Sequence, residues 1–393
     1  MIIDILKRTL VVLICQTITS IGFSSMDASY SQLTFDTLKA KRPLSANYKD
    51  NNLEKSYKKR RHQKNQQSQN TPSTELSVLD WSVQLSIPTK DKKDVAALKS
   101  NLFSLLFKTS SNQFEVEPYS FDSEQAPVAK ALATAGSLND PNAGYILYND
   151  ENSQSHVSNG NGHTKGFLFW NSDYIWWTIH SVPKWPTSLE PLSQINPGQR
   201  DYGQSLMIIK SPISNLDSFV EQLIVNTAVV YSSKIPETQK AYPWISKLAK
   251  RIATWGTYAP KTSVQQISYI SSGKSIPMIH FAKSPAWNND IYDNLISPTL
   301  SINTFSETWG RPLMGPTQFS HNVLEVKWPH AIADFSEIED HSKWAISMDP
   351  KQPWVFVMDI NRMNSQFRRG GGGIGIQHPI LWKAFSELIA RSD

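Results

Sequence analysis

Two triplets of one type recur in this chain of 393 residues: His163-Thr164-Lys165 and His341-Ser342-Lys343, 178 positions apart. Alternate side chains of a β-strand face the same way, so a His and a Lys at i and i+2 would reach one side together. Two such pairs meeting in a cleft supply what metal-free cleavage of a phosphodiester needs. One imidazole attacks phosphorus to form a phosphohistidine; the other protonates the departing alkoxide and later activates water. The two ammonium groups hold the non-bridging oxygens and neutralise charge that builds up in the transition state. A lone triplet carries little weight in a long chain, whereas a repeat points to two halves of one fold, each delivering a His and a Lys. The residue eight places after each histidine, Asn171 and Asp349, is a candidate orienting group.

These residues need strands to hold them. The apolar runs Gly166–Trp170 and Trp344–Ile346 follow the triplets directly and read as buried strand. Further strands are expected over Leu79–Ile87, Gly144–Tyr148, Tyr174–Ile179, Ser205–Ile209, Val323–Val326 and Trp354–Ile360. Helical spacing marks Asp94–Phe107, Ala126–Ala135, Ser214–Tyr231 and Pro379–Ala390. Asp150–Gly162 is rich in Asn, Ser and Gly and reads as a loop delivering His163. Residues 240–320 give the weakest pattern, and Asp334–Asp340 is an acidic approach to His341. Arg368-Arg369 followed by Gly370–Gly373 reads as a flexible basic loop. It is either a plain turn or a phosphate contact; no Gly-Lys-Ser/Thr follows, which excludes a nucleotide-binding P-loop.

The ends are of different composition. Lys7-Arg8 followed by the apolar run Thr9–Ile21 is too short for a membrane span, which needs about 20 residues, and reads as a secretory signal peptide over 1–25. Residues 26–75 are polar, with the basic knot Lys58–Lys64, and read as a disordered segment. This stretch holds ten Lys/Arg against five Asp/Glu, which equals the whole chain's formal charge of +5. The remainder is therefore near neutral, and the high pI says nothing about a nucleic-acid groove. The only cysteine is Cys15, so a processed chain could form no disulfide. No H-E-x-x-H, paired C-x-x-C or calcium loop is present, so no metal and no cofactor are called for.

Taken in order, LDWSVQLSIP (79–88), YILYND (145–150), GHTKG (162–166), WTIHSVPKWP (177–186), YGQSL (202–206), EDHSKW (339–344), DINR (359–362) and RGGGG with LWKAF (369–385) resemble the type II deoxyribonuclease family. The resemblance spans roughly 76–393. It implies an α/β, phospholipase-D-like fold of two pseudo-symmetric lobes, each a mixed β-sheet flanked by helices: 76–200 with the first H-x-K and 201–393 with the second. It also implies an acid endonuclease acting on DNA without metal and leaving 3′-phosphate ends, secreted or periplasmic, or held in a lysosome-like acidic compartment. Ala345 stands where animal members carry a cysteine, which fits an exported bacterial protein better.

On this reading His163, Lys165, His341 and Lys343 are catalytic, with His163 written as nucleophile and His341 as general acid, an order the symmetry leaves exchangeable. His180, Asn171, Asp349 and Asn361 are candidate supporting residues. His180 either lines the cleft or is a buried histidine fixing the next turn. Trp176, Trp177 and Trp185 read as packing residues, and His156, His280, His321, His330 and His378 as structural or solvent-exposed. Two other readings stay open: a phospholipase-D-like enzyme on lipid or another phosphodiester, and a non-catalytic DNA-binding protein. A homodimer is compatible but unnecessary, since one chain carries both motifs.

Overall fold

The computed structural model describes residues 81–89, 104–108, 111–151, 160–253, 260–271, 274–328 and 334–393. They lie within one compact unit, Glu75–Asp393. The expected signal peptide, the basic segment 26–75, His156 and His330 fall outside the described residues.

The first sheet is built from β1 (Trp81–Ser86), β2 (Ser104–Lys108), β3 (Gln113–Glu117), β4 (Gly144–Asn149), β5 (Lys165–Trp170), β6 (Tyr174–His180), β7 (Gln204–Pro212) and β8 (Val230–Lys234). Its order is β3-β2-β1-β7-β6-β5-β4-β8, and every described pair in it is antiparallel. The second sheet holds β9 (Thr262–Ser271), β10 (Lys274–Lys283), β11 (Thr304–Thr308), β12 (Ser320–Lys327), β13 (Asp334–Ser336), β14 (Lys343–Ser347), β15 (Trp354–Met358) and β16 (Gly371–Gln377). The last strand, β17 (Ile389–Ser392), pairs with β12. This sheet is mixed through a single described parallel pair, β11 with β12.

The two sheets pack face to face. One apolar layer contains Tyr148, Leu168, Trp170, Trp177 and Met207 from the first sheet with Trp344, Ile346, Val355, Val357 and Ile374 from the second. Outside the first sheet lies a second apolar layer, where α1 (Pro127–Ala135) and the 182–195 loop cover Phe167, Phe169 and Trp176. Outside the second, Ile291–Ile302, a π-helical turn running into α4 (Ser297–Leu300), covers Phe281, Phe356 and Met358. Burial on both faces explains why β5, β14 and β15 are continuous apolar runs rather than alternating ones. The helices α2 (Leu216–Val225), α3 (Pro243–Ala253) and α5 (Pro379–Ser386) complete the set.

Several expectations are corrected here. The apolar residues ending the expected helix Asp94–Phe107 form β2, held between β1 and β3. The helical stretch after Ser214 ends at Val225, because Val230–Lys234 turns back to pair with β4. The last helix stops at Ser386, and Ile389 onward is strand. The glycine run is no flexible loop. Gly371–Gln377 is a buried central strand between β15 and β10. Its glycines are there for space: a Cβ on Gly372 would strike the Phe281 carbonyl, and one on Gly373 the Met358 sulfur. A boundary at residue 200 cuts the first sheet, since β7 and β8 both belong to it.

Candidate active site

Both H-x-K triplets lie at the starts of their strands. Lys165 opens β5 opposite Asn149, and Lys343 opens β14 opposite Thr308. Each histidine, two residues earlier, is fixed by a backbone bond to the other lobe. His163 donates its N–H to the Gly370 carbonyl at 2.8 Å, and His341 donates its own to the Gly203 carbonyl at 2.8 Å. The Lys343 N–H also crosses the boundary, to Ser205 Oγ at 3.1 Å.

The first triplet is wired to a buried carboxylate. Lys165 Nζ donates to Asp150 Oδ1 at 2.5 Å, and Asp150 Oδ2 accepts from Arg369 at 2.8 Å. His163 Nε2 lies 3.5 Å from Lys165 Nζ and 4.0 Å from Asp150 Oδ2, while its Nδ1 is buried without a partner. Burial alone would push the Asp150 carboxyl up, but Lys165, His163 and Arg369 together hold it well below the usual carboxylate range. His163 is pushed well below the ordinary imidazole value by burial and by the Lys165 ammonium, with Asp150 acting in the opposite sense.

The second triplet is held differently. The Tyr202 ring stacks on His341 at 4.0 Å with 12° between planes, and Trp309 meets it edge-on at 5.1 Å. Lys343 Nζ donates to the His341 carbonyl at 2.8 Å. Asp340 fixes the turn before the strand by accepting from the Ser342 N–H at 2.8 Å and hydroxyl at 2.7 Å. Burial and the two lysines lower His341 to about 3. Lys343 is lowered to about 7 by burial and by Lys165. Asp359, just past the end of β15, accepts from the Gly372 N–H at 2.7 Å, and burial raises it to about 8.

The two triplets feel one another. The charge of Lys343 depresses His163, and that of Lys165 depresses His341, so the four side chains share one buried electrostatic environment. Among the described residues no group of three or more His, Cys, Asp or Glu is arranged to hold a metal ion.

The supporting candidates divide. His180 ends β6, one place past the Gly166–Ile179 pair, so it sits across from Lys165. It is fully buried, and burial and the Lys165 charge push its imidazole well below the ordinary value. Nδ1 accepts from the Val182 N–H at 3.2 Å, and Trp185 packs on the ring at 5.0 Å. It thus fixes the turn after β6 and neighbours the lysine as well. Asn361 is buried two residues past Asp359 with an unpartnered Oδ1, at the same end of the sheet as the triplets. Asn171 and Asp349 are not brought there. Each lies six residues beyond its lysine, roughly 20 Å along the strand, at the opposite end. Asn171 Oδ1 instead caps the β5–β6 turn through the Asp173 and Tyr174 N–H groups, and Asp349 is exposed and caps Lys351. The packing reading of Trp176, Trp177 and Trp185 matches their near-complete burial.

A model of the Deoxyribonuclease II family matches residues 72–393. The chain belongs to that family. It is 35% identical to Deoxyribonuclease-2 of Caenorhabditis elegans over 240 residues, 59% of this chain and 61% of the worm protein, so that match spans less than two thirds of its relative. It is 27% identical to Deoxyribonuclease-2-alpha of Rattus norvegicus over 323 residues, 79% of this chain and 90% of that one. Cell death-related nuclease 6 of Caenorhabditis elegans is 26% identical over 335 residues, 80% and 86%. A member of the deoxyribonuclease II family is by class a phosphodiester hydrolase. No helix among the described residues is long and apolar enough to cross a membrane.

Sequence reasoning did not assign Asp150, Arg369, Tyr202, Trp309 or Asp359 to the site of this deoxyribonuclease II family member. Asp150 closes YILYND and Arg369 opens RGGGG, so both were within matched blocks. Their meeting across 219 positions is a tertiary fact.

Proposed function

We propose that this chain is an endonuclease hydrolysing DNA phosphodiesters without metal, through a phosphohistidine, in an exported and acidic setting. The observation that carries the reading is that each triplet is held by the other lobe, His163 N–H on the Gly370 carbonyl, His341 N–H on the Gly203 carbonyl and Lys343 N–H on Ser205, with both lysines buried beside their histidines. In the first step an imidazole nitrogen, written as that of His163, bonds to phosphorus as the P–O5′ bond breaks. The other imidazole, that of His341, gives its proton to the departing O5′. It then accepts a proton from water, whose oxygen bonds to phosphorus as the P–N bond breaks, leaving a 3′-phosphate and a free His163. Lys165 and Lys343 hold the non-bridging oxygens throughout.

The electrostatics of the site support an acid preference. In the free site both imidazoles are depressed by burial and by the lysine charges, so neither holds a proton well. A phosphodiester anion between Lys165 and Lys343 offsets those charges and makes one imidazolium affordable. Low pH supplies that proton as substrate binds. The exported location rests on Lys7-Arg8 and the apolar run after them. Because one chain carries both triplets, the reaction needs no second copy.

The test is nicking of supercoiled plasmid by the full chain with EDTA at about pH 5, below the reference imidazole value, beside His163→Ala and His341→Ala. Cleavage lost in both variants, with 3′-phosphate ends from the parent, supports the reading. Full cleavage by either variant, or none by the parent, overturns it.

A further inference from the structure

Read inward from the hairpin, the first sheet runs β2-β1-β7-β6-β5-β4 and the second β9-β10-β16-β15-β14-β11, so β7 and β16 hold equivalent places. The two residues before each of these strands act on the other lobe in the same way. Gly203, before β7, accepts the His341 N–H; Gly370, before β16, accepts the His163 N–H. Their neighbours supply side chains. Tyr202 lies flat on the His341 ring, and Arg369 grips Asp150, the carboxylate beside His163 and Lys165. Arg369 also donates to the Asn161 and Gly162 carbonyls at 3.2 Å each, directly before His163. Neither glycine tolerates a Cβ, which would strike the Asp340 carboxylate at Gly203 and the Asn226 carbonyl at Gly370.

We propose that Tyr202 and Arg369 are paired positioning residues, each reaching from one lobe to fix the motif histidine of the other. The pair is equivalent in place and different in chemistry. Tyr202 holds a ring plane by contact. Arg369 holds a carboxylate, and through it the Lys165 ammonium and the electrostatics of His163. Charged groups around His163 are Lys165, Asp150, Lys343 and Arg369, and removing the last removes a cation that disfavours imidazolium. Each lobe's motif is therefore complete only when the other lobe is docked on it.

The proposal rests on the two-histidine reading and is tested in the same plasmid assay with the full chain, measuring kcat, KM, pH–rate profile and melting for each variant. Loss of alignment of a reacting group costs roughly 10- to 100-fold in rate. Tyr202→Leu and Arg369→Met are each expected to lower kcat by that factor with KM little changed. Tyr202→Phe keeps the ring and is expected to keep kcat. Arg369→Met is expected to move the pH–rate profile to higher pH, while Arg369→Lys keeps the charge and the profile but loses part of kcat with the planar fork. The proposal is overturned if Tyr202→Phe falls as far as Tyr202→Leu. It is equally overturned if Arg369→Met retains the parent's kcat or profile, or if Arg369→Lys equals Arg369→Met. If the larger truncations do not fold, the conservative variants are read against the parent alone. Tyr202→Phe with the parent's kcat and Arg369→Lys with the parent's pH–rate profile but a lower kcat support the proposal. A Tyr202→Phe loss of roughly 10-fold or more, or an Arg369→Lys kcat equal to the parent's, overturns it. An inactive parent, or an active His163→Ala, would instead remove the two-histidine reading beneath it.

Discussion

His280 gives a prediction whose size follows from its surroundings. It sits on β10, fully buried, with both ring nitrogens unpartnered and the rings of Trp177 and Phe219 at 4.5 and 4.9 Å. Burial lowers it to about 3, whereas an unfolded histidine titrates near 6.5. Between those values the unfolded chain binds a proton that the folded chain does not, so stability falls as pH drops through that window and is unaffected above it. At pH 5 the cost is about 2 kcal/mol, from RT ln(1 + 10^1.5). His280→Leu removes the titrating group and its two unsatisfied nitrogens. Urea unfolding of parent and variant at about pH 7.5 and about pH 5, either side of the window's upper edge, should give a stability difference that grows by about 2 kcal/mol toward acid. His163 and His180 add terms of the same sign, but they are common to both proteins and cancel. Parallel pH dependences in parent and variant would refute the reasoning.

Other perturbations have expected outcomes. Asp150→Asn strips the buried Lys165 and Arg369 of their shared carboxylate. It should cost about 3–5 kcal/mol in denaturant unfolding, the usual penalty for uncoupling a buried ion pair, and abolish nicking. Arg362 is fully buried, donating to Asp293, Asn322 and the Gly315 carbonyl; Arg362→Met should lower stability by about 3 kcal/mol or more, read the same way. Gly372→Ala places a Cβ against the Phe281 carbonyl in the middle of the second sheet, and should cost about 1–3 kcal/mol in a melt. Removing metal with EDTA should leave plasmid nicking unchanged.

The motif strands were legible because they are marked twice, by the His-x-Lys spacing and by the apolar run after it. The burial of Trp176 and Trp177 was legible from the apolar run of their strand, since runs buried on both faces carry a strong composition signal, whereas Trp185 is buried from the 182–195 loop that covers the first sheet. Local pattern misled where tertiary space decides. A run of glycines ordinarily marks a loop, yet here it makes a central strand because β10 and β15 leave no room for side chains. Asn171 and Asp349 share a spacing from their histidines, but the spacing reflects two strands of similar length, each ending far from its motif. Asp150, Arg369 and Tyr202 lie in recognisable blocks, but the contacts that bring Arg369 to Asp150 and Tyr202 to His341 cross between the lobes, and no local pattern shows them.

The central claim is that two histidines act in succession on one phosphorus. The stereochemistry of a chiral phosphorothioate linkage, cleaved by the full chain in heavy-oxygen water, tests it most directly. Two displacements through a phosphohistidine predict net retention of configuration at phosphorus. Net inversion would mean a single in-line attack by water, and would contradict the account.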